Sequence, residues 1–168
     1  MKRLLVVLVL LMPMMALAQS PIDKLFDKYA NKDGFTTVRI SGALLGFASK
    51  MDSSNSPESK MLSDLKGIRI LTVEDEELNQ KLDFFTELGK DDFFKKNGYE
   101  VLMEVTEKDE VVRFFGKMTS GGKLSEMVLV VGGDDNALIC IEGLIDPDNI
   151  GKITGALNID GIPSVDKK

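Results

Sequence analysis

GYEVLMEVTEKDEVVRFFGKMTSGGKLSEMVLVVGGDDNALICIEGL, residues 98–144, is the stretch whose reading decides the fold. Tyr99, Val101, Met103 and Val105 alternate with Glu100, Glu104 and Thr106, the two-residue period of a strand with one buried face. Lys108 and Asp109 form a polar turn. Val111 to Met118 carries Val112 and Phe114 on one side and Val111 and Phe115 on the other, as a strand contacted from both sides would. Thr119-Ser120-Gly121-Gly122 is the next turn, with glycines available for positive φ. Leu124 to Val131, the turn Gly132-Gly133-Asp134-Asp135-Asn136, and the apolar run Ala137 to Leu144 complete the series. Links this short join antiparallel neighbours, so the stretch predicts a four-stranded meander.

Working outward, Ser20-Pro21-Ile22-Asp23 combines an N-cap, a first-turn proline and an acid placed to reach back to the cap. A helix follows with Ile22, Leu25, Phe26 and Tyr29 on one face, closed by Asn31 to Gly34. The β-branched run in Phe35 to Ser41 reads as a strand. Leu44, Leu45, Phe47, Ala48 and Met51 take helical spacing, Asp52 to Ser56 is polar, and Ser56-Pro57 restarts a short helix with Met61, Leu62 and Leu65. Ile68 to Val73 is a second strand. Glu74 to Glu77 and Lys95-Lys96 complement the two ends of a helix carrying Leu78, Leu82, Phe85 and Leu88, divided at Gly89. Past the meander, Asp146-Pro147 opens a closing helix with Ile150, Ile153 and Leu157. The expectation is an α+β domain: a mainly antiparallel sheet of about six strands with helices packed on one face.

The ends bear on address. Lys2 and Arg3, the apolar run Leu4 to Leu11 and Ala16-Leu17-Ala18 make a secretory leader over residues 1–18, followed by a single domain at 19–162 and a disordered tail at 163–168. The leader's apolar run is too short to span a bilayer, and no cysteine stands at the cleavage site to take a lipid. The expected mature chain is therefore soluble and without a transmembrane anchor, periplasmic or secreted. Losing Lys2 and Arg3 moves the net charge from −6 to −8, which disfavours nucleic acid. Cys140 is the one cysteine, so no internal disulfide is expected.

The segments Gly34-Phe35-Thr36-Thr37-Val38, Leu65 to Thr72, Asn97-Gly98-Tyr99-Glu100, Ser125-Glu126 and Val131 to Asn136 resemble the uncharacterised bacterial envelope family catalogued as domain of unknown function 4252. The likeness covers nearly the whole chain after the leader. It implies an exported protein of a Gram-negative bacterium and carries over no activity or catalytic residue. Some members of that family look lipid-anchored through a cysteine after the leader, from which this chain departs.

Several clusters are candidate sites. Asp134, Asp135 and Asn136 offer oxygen ligands for calcium, although Gly, Asp and Asn are also what a plain hairpin turn selects. Glu126 and Glu142 would form a carboxylate pair if they shared a sheet face, or point to solvent on an uncovered face, with Arg69, Arg113 and Lys117 able to neutralise them across strands. Phe84-Phe85 and Phe93-Phe94 cannot all face one core from one helix. Phe84, Phe93 and Phe94 are accordingly candidates for a partner-binding patch, unless the helix is wedged between two buried surfaces. The chain has no histidine, which removes Ser-His-Asp, Cys-His and His-rich zinc chemistry. Ser125 with Lys117 or Lys123 is the remaining nucleophile pair, and no nucleophile turn holds it. The expected function is non-catalytic binding or interaction with an envelope partner, without cofactor or metal. The alternatives are a calcium- or small-ligand-binding module and a carboxylate-dependent hydrolase.

Overall fold

A computed structural model describes residues 20–51 and 56–149. One sheet of six strands runs β1 (Phe35–Ser41), β2 (Leu65–Val73), β3 (Tyr99–Thr106), β4 (Glu110–Met118), β5 (Leu124–Gly133) and β6 (Ala137–Ile145). The spatial order is β1-β2-β6-β5-β4-β3, with every neighbour antiparallel. The fold is α+β, and β3 to β6 are the meander that the sequence predicts. β2 enters beside β6, so the N-terminal hairpin extends the meander into one continuous sheet.

Helices cover both faces, not one. On the first face lie α1 (Pro21–Tyr29) and three short helices, α4 (Glu76–Asn79), α5 (Phe84–Glu87) and α6 (Lys90–Lys96). They bury Ile22, Phe26, Phe84, Leu88 and Phe94 against Leu71, Phe115, Val128, Val130, Leu138 and Cys140. The second face holds Leu65, Phe114, Leu124, Met127, Leu129, Ile139 and Ile141, with α2 (Gly42–Met51) and α3 (Pro57–Asp64) packed toward its β1 side. The physical reason lies in β5 and β6, which alternate apolar with apolar. Neither of their sides tolerates water.

The capping reading holds at Ser20, whose hydroxyl accepts from Asp23 N at 3.1 Å, and at Ser56, which accepts from Ser59 N at 3.1 Å. The helix expected across residues 74–97 is three helices, because Asp75 and Asp83 each cap a new start. Phe84 and Phe94, 0% and 1% exposed, belong to the core, and Phe93 is half-buried against it. The expected patch of Phe84, Phe93 and Phe94 is therefore corrected. The break at Asp83 rotates the aromatic pairs independently, and the Phe94 ring stacks on Phe115 at 3.6 Å.

The turn after β5 is structural on one side. Asn136 is 2% exposed; its Oδ1 accepts from Phe84 N at 3.1 Å, its Nδ2 donates to Leu82 O at 3.2 Å, and its backbone N donates to Asn79 Oδ1 at 2.9 Å. The hairpin thereby holds the first turn of α5. Gly132 stands in β5 where a Cβ would meet the Phe85 ring at 2.8 Å, and Gly133 has φ +123 with Asp109 O at 2.0 Å from any Cβ. Of the closing segment, the described part is a 3-10 turn at Pro147–Asn149. The rest of that helix, the leader and the tail lie outside the described residues.

Asn136→Ala leaves several buried backbone groups unpaired at once. It should lower stability by about 3 kcal/mol in urea unfolding, with an unchanged m value, whereas the exposed Asp134→Ala should be near neutral.

Candidate functional site: a charged cleft at the end of the first face

The register builds the site. Tyr99 pairs with Lys117, Lys117 with Glu126, Glu126 with Glu142, and Glu142 with Gly67, a single row across β3, β4, β5, β6 and β2. The next row pairs Arg69 with Cys140 and Cys140 with Val128. Side chains alternate along a strand, so Tyr99, Lys117, Glu126, Glu142, Arg69 and Cys140 share the first face, just beyond the N-terminus of α1. Gly67 has no side chain to fill its place in the row, and the Arg69 guanidinium reaches across to Glu142.

Two carboxylates directly opposite on neighbouring strands repel each other. Here they are countered from several directions. Arg69 Nη2 donates to Glu142 Oε1 at 2.8 Å, and Arg69 Nη1 to Asp23 Oδ1 at 2.6 Å. The guanidinium also lies 4.8 Å from the centroid of the Phe26 ring, which joins α1 to the cluster. Glu126 Oε1 accepts from the Cys140 thiol at 3.2 Å, and the Tyr99 phenol lies on the same face near enough to feel the Glu126 charge. Oxygen and sulfur donors of Glu126, Cys140 and Glu142 all fall within 4.8 Å of one another. Arg69 is also 3.5 Å from Cys140 Sγ, so a guanidinium already stands where a cation would compete.

The electrostatics follow. Burial opposes the Asp23 charge, but hydrogen bonds from Arg69 and Ser20 outweigh it and hold that carboxyl below its ordinary value. Burial works against the Arg69 charge as well; the Asp23 hydrogen bond and the neighbouring acidic groups override it and raise its pKa. The Tyr99 phenol is pushed up, first by burial and then by Glu126. The Cys140 thiol is pushed up by burial and by the Glu126 charge, with Arg69 opposing in part. Burial and the Glu126 charge thus favour the thiol form, which donates to Glu126.

The cleft opens to about 410 Å³ and is lined further by Ser20, Lys66, Phe93, Asn97 and Ser125. Lys117 Nζ lies 5.5 Å from the centroid of the Tyr99 ring. The hydroxyl of Ser125 donates to Lys117 O at 3.1 Å, so it does not face the lysine amine as a Ser-Lys nucleophile would. Of the three expected neutralising cations, Arg69 serves. Arg113 pairs with Glu104 on β3 and lies over the Phe85 ring instead. Glu126 and Glu142 do not face solvent on an uncovered face; they meet on the covered one, at its open end. The sequence reading missed Asp23, Tyr99, Lys66 and Cys140 as members. The strand register places Tyr99 and Cys140, and the packing of α1 brings in Asp23.

The other candidate stays apart. Asp134 and Asp135 are exposed and, with Glu74 and Glu76, line an open acidic hollow, while Asn136 turns inward to the core. Burial, then Asp135, raises the carboxyl of nearby Glu110.

An open antiparallel sheet, helices on both sides and a charged cleft at one end define an α+β domain. Residues 29–153 match the family described as Domain of unknown function (DUF4252), and the chain belongs to that family. The matched segment contains every cleft residue carried by the strands; Ser20 and Asp23 of α1 precede it. No curated protein and no solved structure matches the chain. Among the described residues no helix is long and apolar enough to cross a membrane.

Arg69→Met removes the counter-charge from two carboxylates, Asp23 and Glu142, at a partly exposed site and should cost about 1–2 kcal/mol near neutral pH. The sign with pH follows from Asp23. Its depressed folded pKa gives stability that is present above about pH 4, the unfolded value, and lost as pH falls through the folded one. Denaturation across an acid series should therefore show the difference between wild type and Arg69→Met shrinking as pH drops.

Proposed function

We propose that the protein is an exported, non-catalytic binding protein of a Gram-negative cell envelope, and that the cleft around Arg69, Glu126 and Glu142 is its recognition site. The leader-like sequence at residues 1–18 supports export. One observation carries the binding reading: two glutamates stand directly opposite on adjacent strands, in an open polar cleft that stability alone would not select. Local conflict of this kind is characteristic of sites kept for recognition.

The groups around the cleft state the ligand's chemistry. Glu126 and Glu142 accept hydrogen bonds, Lys66 and Lys117 provide positive charge, Asn97 and Ser125 are polar, and Phe93 and Tyr99 make a flat aromatic wall. A small polar molecule that presents donors on one side and an acceptor or anionic group on the other fits them. The same groups displayed by an envelope protein would engage the same residues.

A carboxylate-dependent hydrolase is the second reading. It is favoured by the 4.8 Å proximity within the Glu126, Cys140 and Glu142 set, near the separation of about 5 Å that retaining glycosidases use. Weighing against it, Arg69 already engages Glu142 and the Cys140 thiol already engages Glu126.

One experiment addresses both readings. Isotope-labelled protein beginning at Gln19 is titrated with a low-mass fraction of envelope extract and followed by amide NMR. Shifts centred on Tyr99, Lys117, Ser125 and Glu142, lost in Lys117→Met, are expected. Absence of any cleft shift would overturn the assignment. Consumption of the added material, abolished by Glu126→Gln, would establish the hydrolase in its place.

A further inference from the structure

Among the described residues the sheet ends in two strands with one neighbour each, and only one of them is guarded. The β3 ladder is interrupted by a bulge between Val101 and Met103, and Glu100 and Glu104 place charge along it. β1 has no such device. It pairs with β2 in unbroken register from Phe35↔Val73 to Ser41↔Gly67. Its single charge, Arg39, is drawn toward α1 by Asp27, Nη2 to Oδ1 at 3.3 Å. Among the described residues no strand pairs with the outer side of β1, and natural sheets seldom leave so plain an edge open, because its outward N–H and C=O groups are a template for another strand.

The same edge carries the most exposed apolar stripe of the described residues. Ser41 passes directly into α2, which lies along β1 and β2, while α3 lies inward toward β6. Leu45 and Ser49 of α2 are buried, and α3 is tied to it by Ser59 Oγ donating to Ser49 O at 2.6 Å. Leu44, Phe47 and Met51 lie on the opposite side, 56%, 62% and 70% exposed, at a spacing that lines them up on one helix face. Val38 is exposed beside them, on the sheet face that Ile40 shares with the second core. Within a chain of 27 acidic residues, the run Phe35–Met51 contains none.

We propose that β1 and the outer face of α2 form the interface of a two-fold homodimer, β1 pairing antiparallel with β1 of a second copy and the two Leu44-Phe47-Met51 stripes closing over the seam. An antiparallel edge is its own complement under a two-fold axis. The charges choose the register. With the axis at Val38, Val38 faces its own copy, Thr36 faces the second copy's Ile40, and Thr37 faces the second copy's Arg39. An axis at Arg39 would put like charges directly opposite. The run carries no acid, only Arg39 and Lys50, so a second copy meets none of this acidic chain's carboxylates along it. Strand pairing satisfies the edge amides and carbonyls, which a lipid surface does not, and the α2 stripe adds the apolar area that a strand pair alone lacks.

The test is sedimentation velocity on the chain beginning at Gln19 over a range of micromolar concentrations, with vesicle flotation alongside. Wild type is expected to be dimeric. Phe47→Glu and Val38→Lys, both at exposed positions, should each weaken association by about a hundredfold while leaving the circular dichroism and melting temperature unchanged. Val101→Lys on the guarded edge should stay dimeric. Under mild oxidation Val38→Cys should yield a covalent dimer and Val101→Cys should not; the native Cys140 is buried and silent. A monomeric wild type overturns the proposal, and so does a dimer that survives both Phe47→Glu and Val38→Lys. Flotation of a monomer with phosphatidylglycerol vesicles, lost in Phe47→Glu, would overturn it in favour of a lipid contact. The cleft lies on the other face of the sheet, so cleft variants should leave the association state alone.

Discussion

β5 and β6 are apolar on both sides, so the sheet they centre can leave neither of its middle faces to water, and the placement of every helix follows from that demand. Val128, Val130, Leu138 and Cys140 need cover on one side, and Met127, Leu129, Ile139 and Ile141 on the other. Burial of such side chains contributes roughly 1.5–3 kcal/mol each, the largest favourable contribution available to a chain without an internal disulfide. The N-terminal helices supply the cover in two directions. α1 goes to one face, and α2 with α3 goes to the other, the switch occurring across β1.

Where that apolar centre runs out, at the β3–β6 end beyond α1, the sheet carries charge instead. Lys117, Glu126 and Glu142 occupy one cross-strand row, and Arg69 is the residue that makes the row tolerable. It reaches Asp23 on α1, Glu142 on β6 and the face of Phe26, and so couples the end of the core to the cleft. The same arrangement gives Glu126 a hydrogen bond from the Cys140 thiol, and the buried phenol of Tyr99 beside it has its pKa raised as the thiol does. A cleft of this kind is preorganised to meet polar groups, since its own donors and acceptors are already fixed by the strands.

The two ends of the sheet tell a different story about association. A bulge and glutamates mark β3 as an edge kept from pairing, and their lack at β1 coincides with an acid-free sequence and an apolar helix face. The cleft and the outer face of α2 lie on opposite faces of one sheet, so the residues of one do not constrain those of the other.

By itself the sequence determined the elements: the alternation in Tyr99–Thr106, the glycine and polar turns of the meander, the Ser20 and Ser56 caps and the strand at Phe35–Ser41 all depend on neighbours within a few residues, and local physics decides them. It also determined family membership and the absence of histidine chemistry. Tertiary structure alone decided that Glu126 faces Glu142, that Arg69 pairs with Glu142 while Arg113 pairs with Glu104, and that Asn136 serves the core while Asp134 and Asp135 stay outside. Each of these depends on pairing between strands far apart in the chain, above all the entry of β2 beside β6, and a period-two pattern is the same in every register. The aromatic pairs show the same limit. Helical spacing offered Phe84 and Phe94 to a partner, but a capping aspartate at Asp83 and a carboxamide from Asn136 broke the helix and turned both rings into the core.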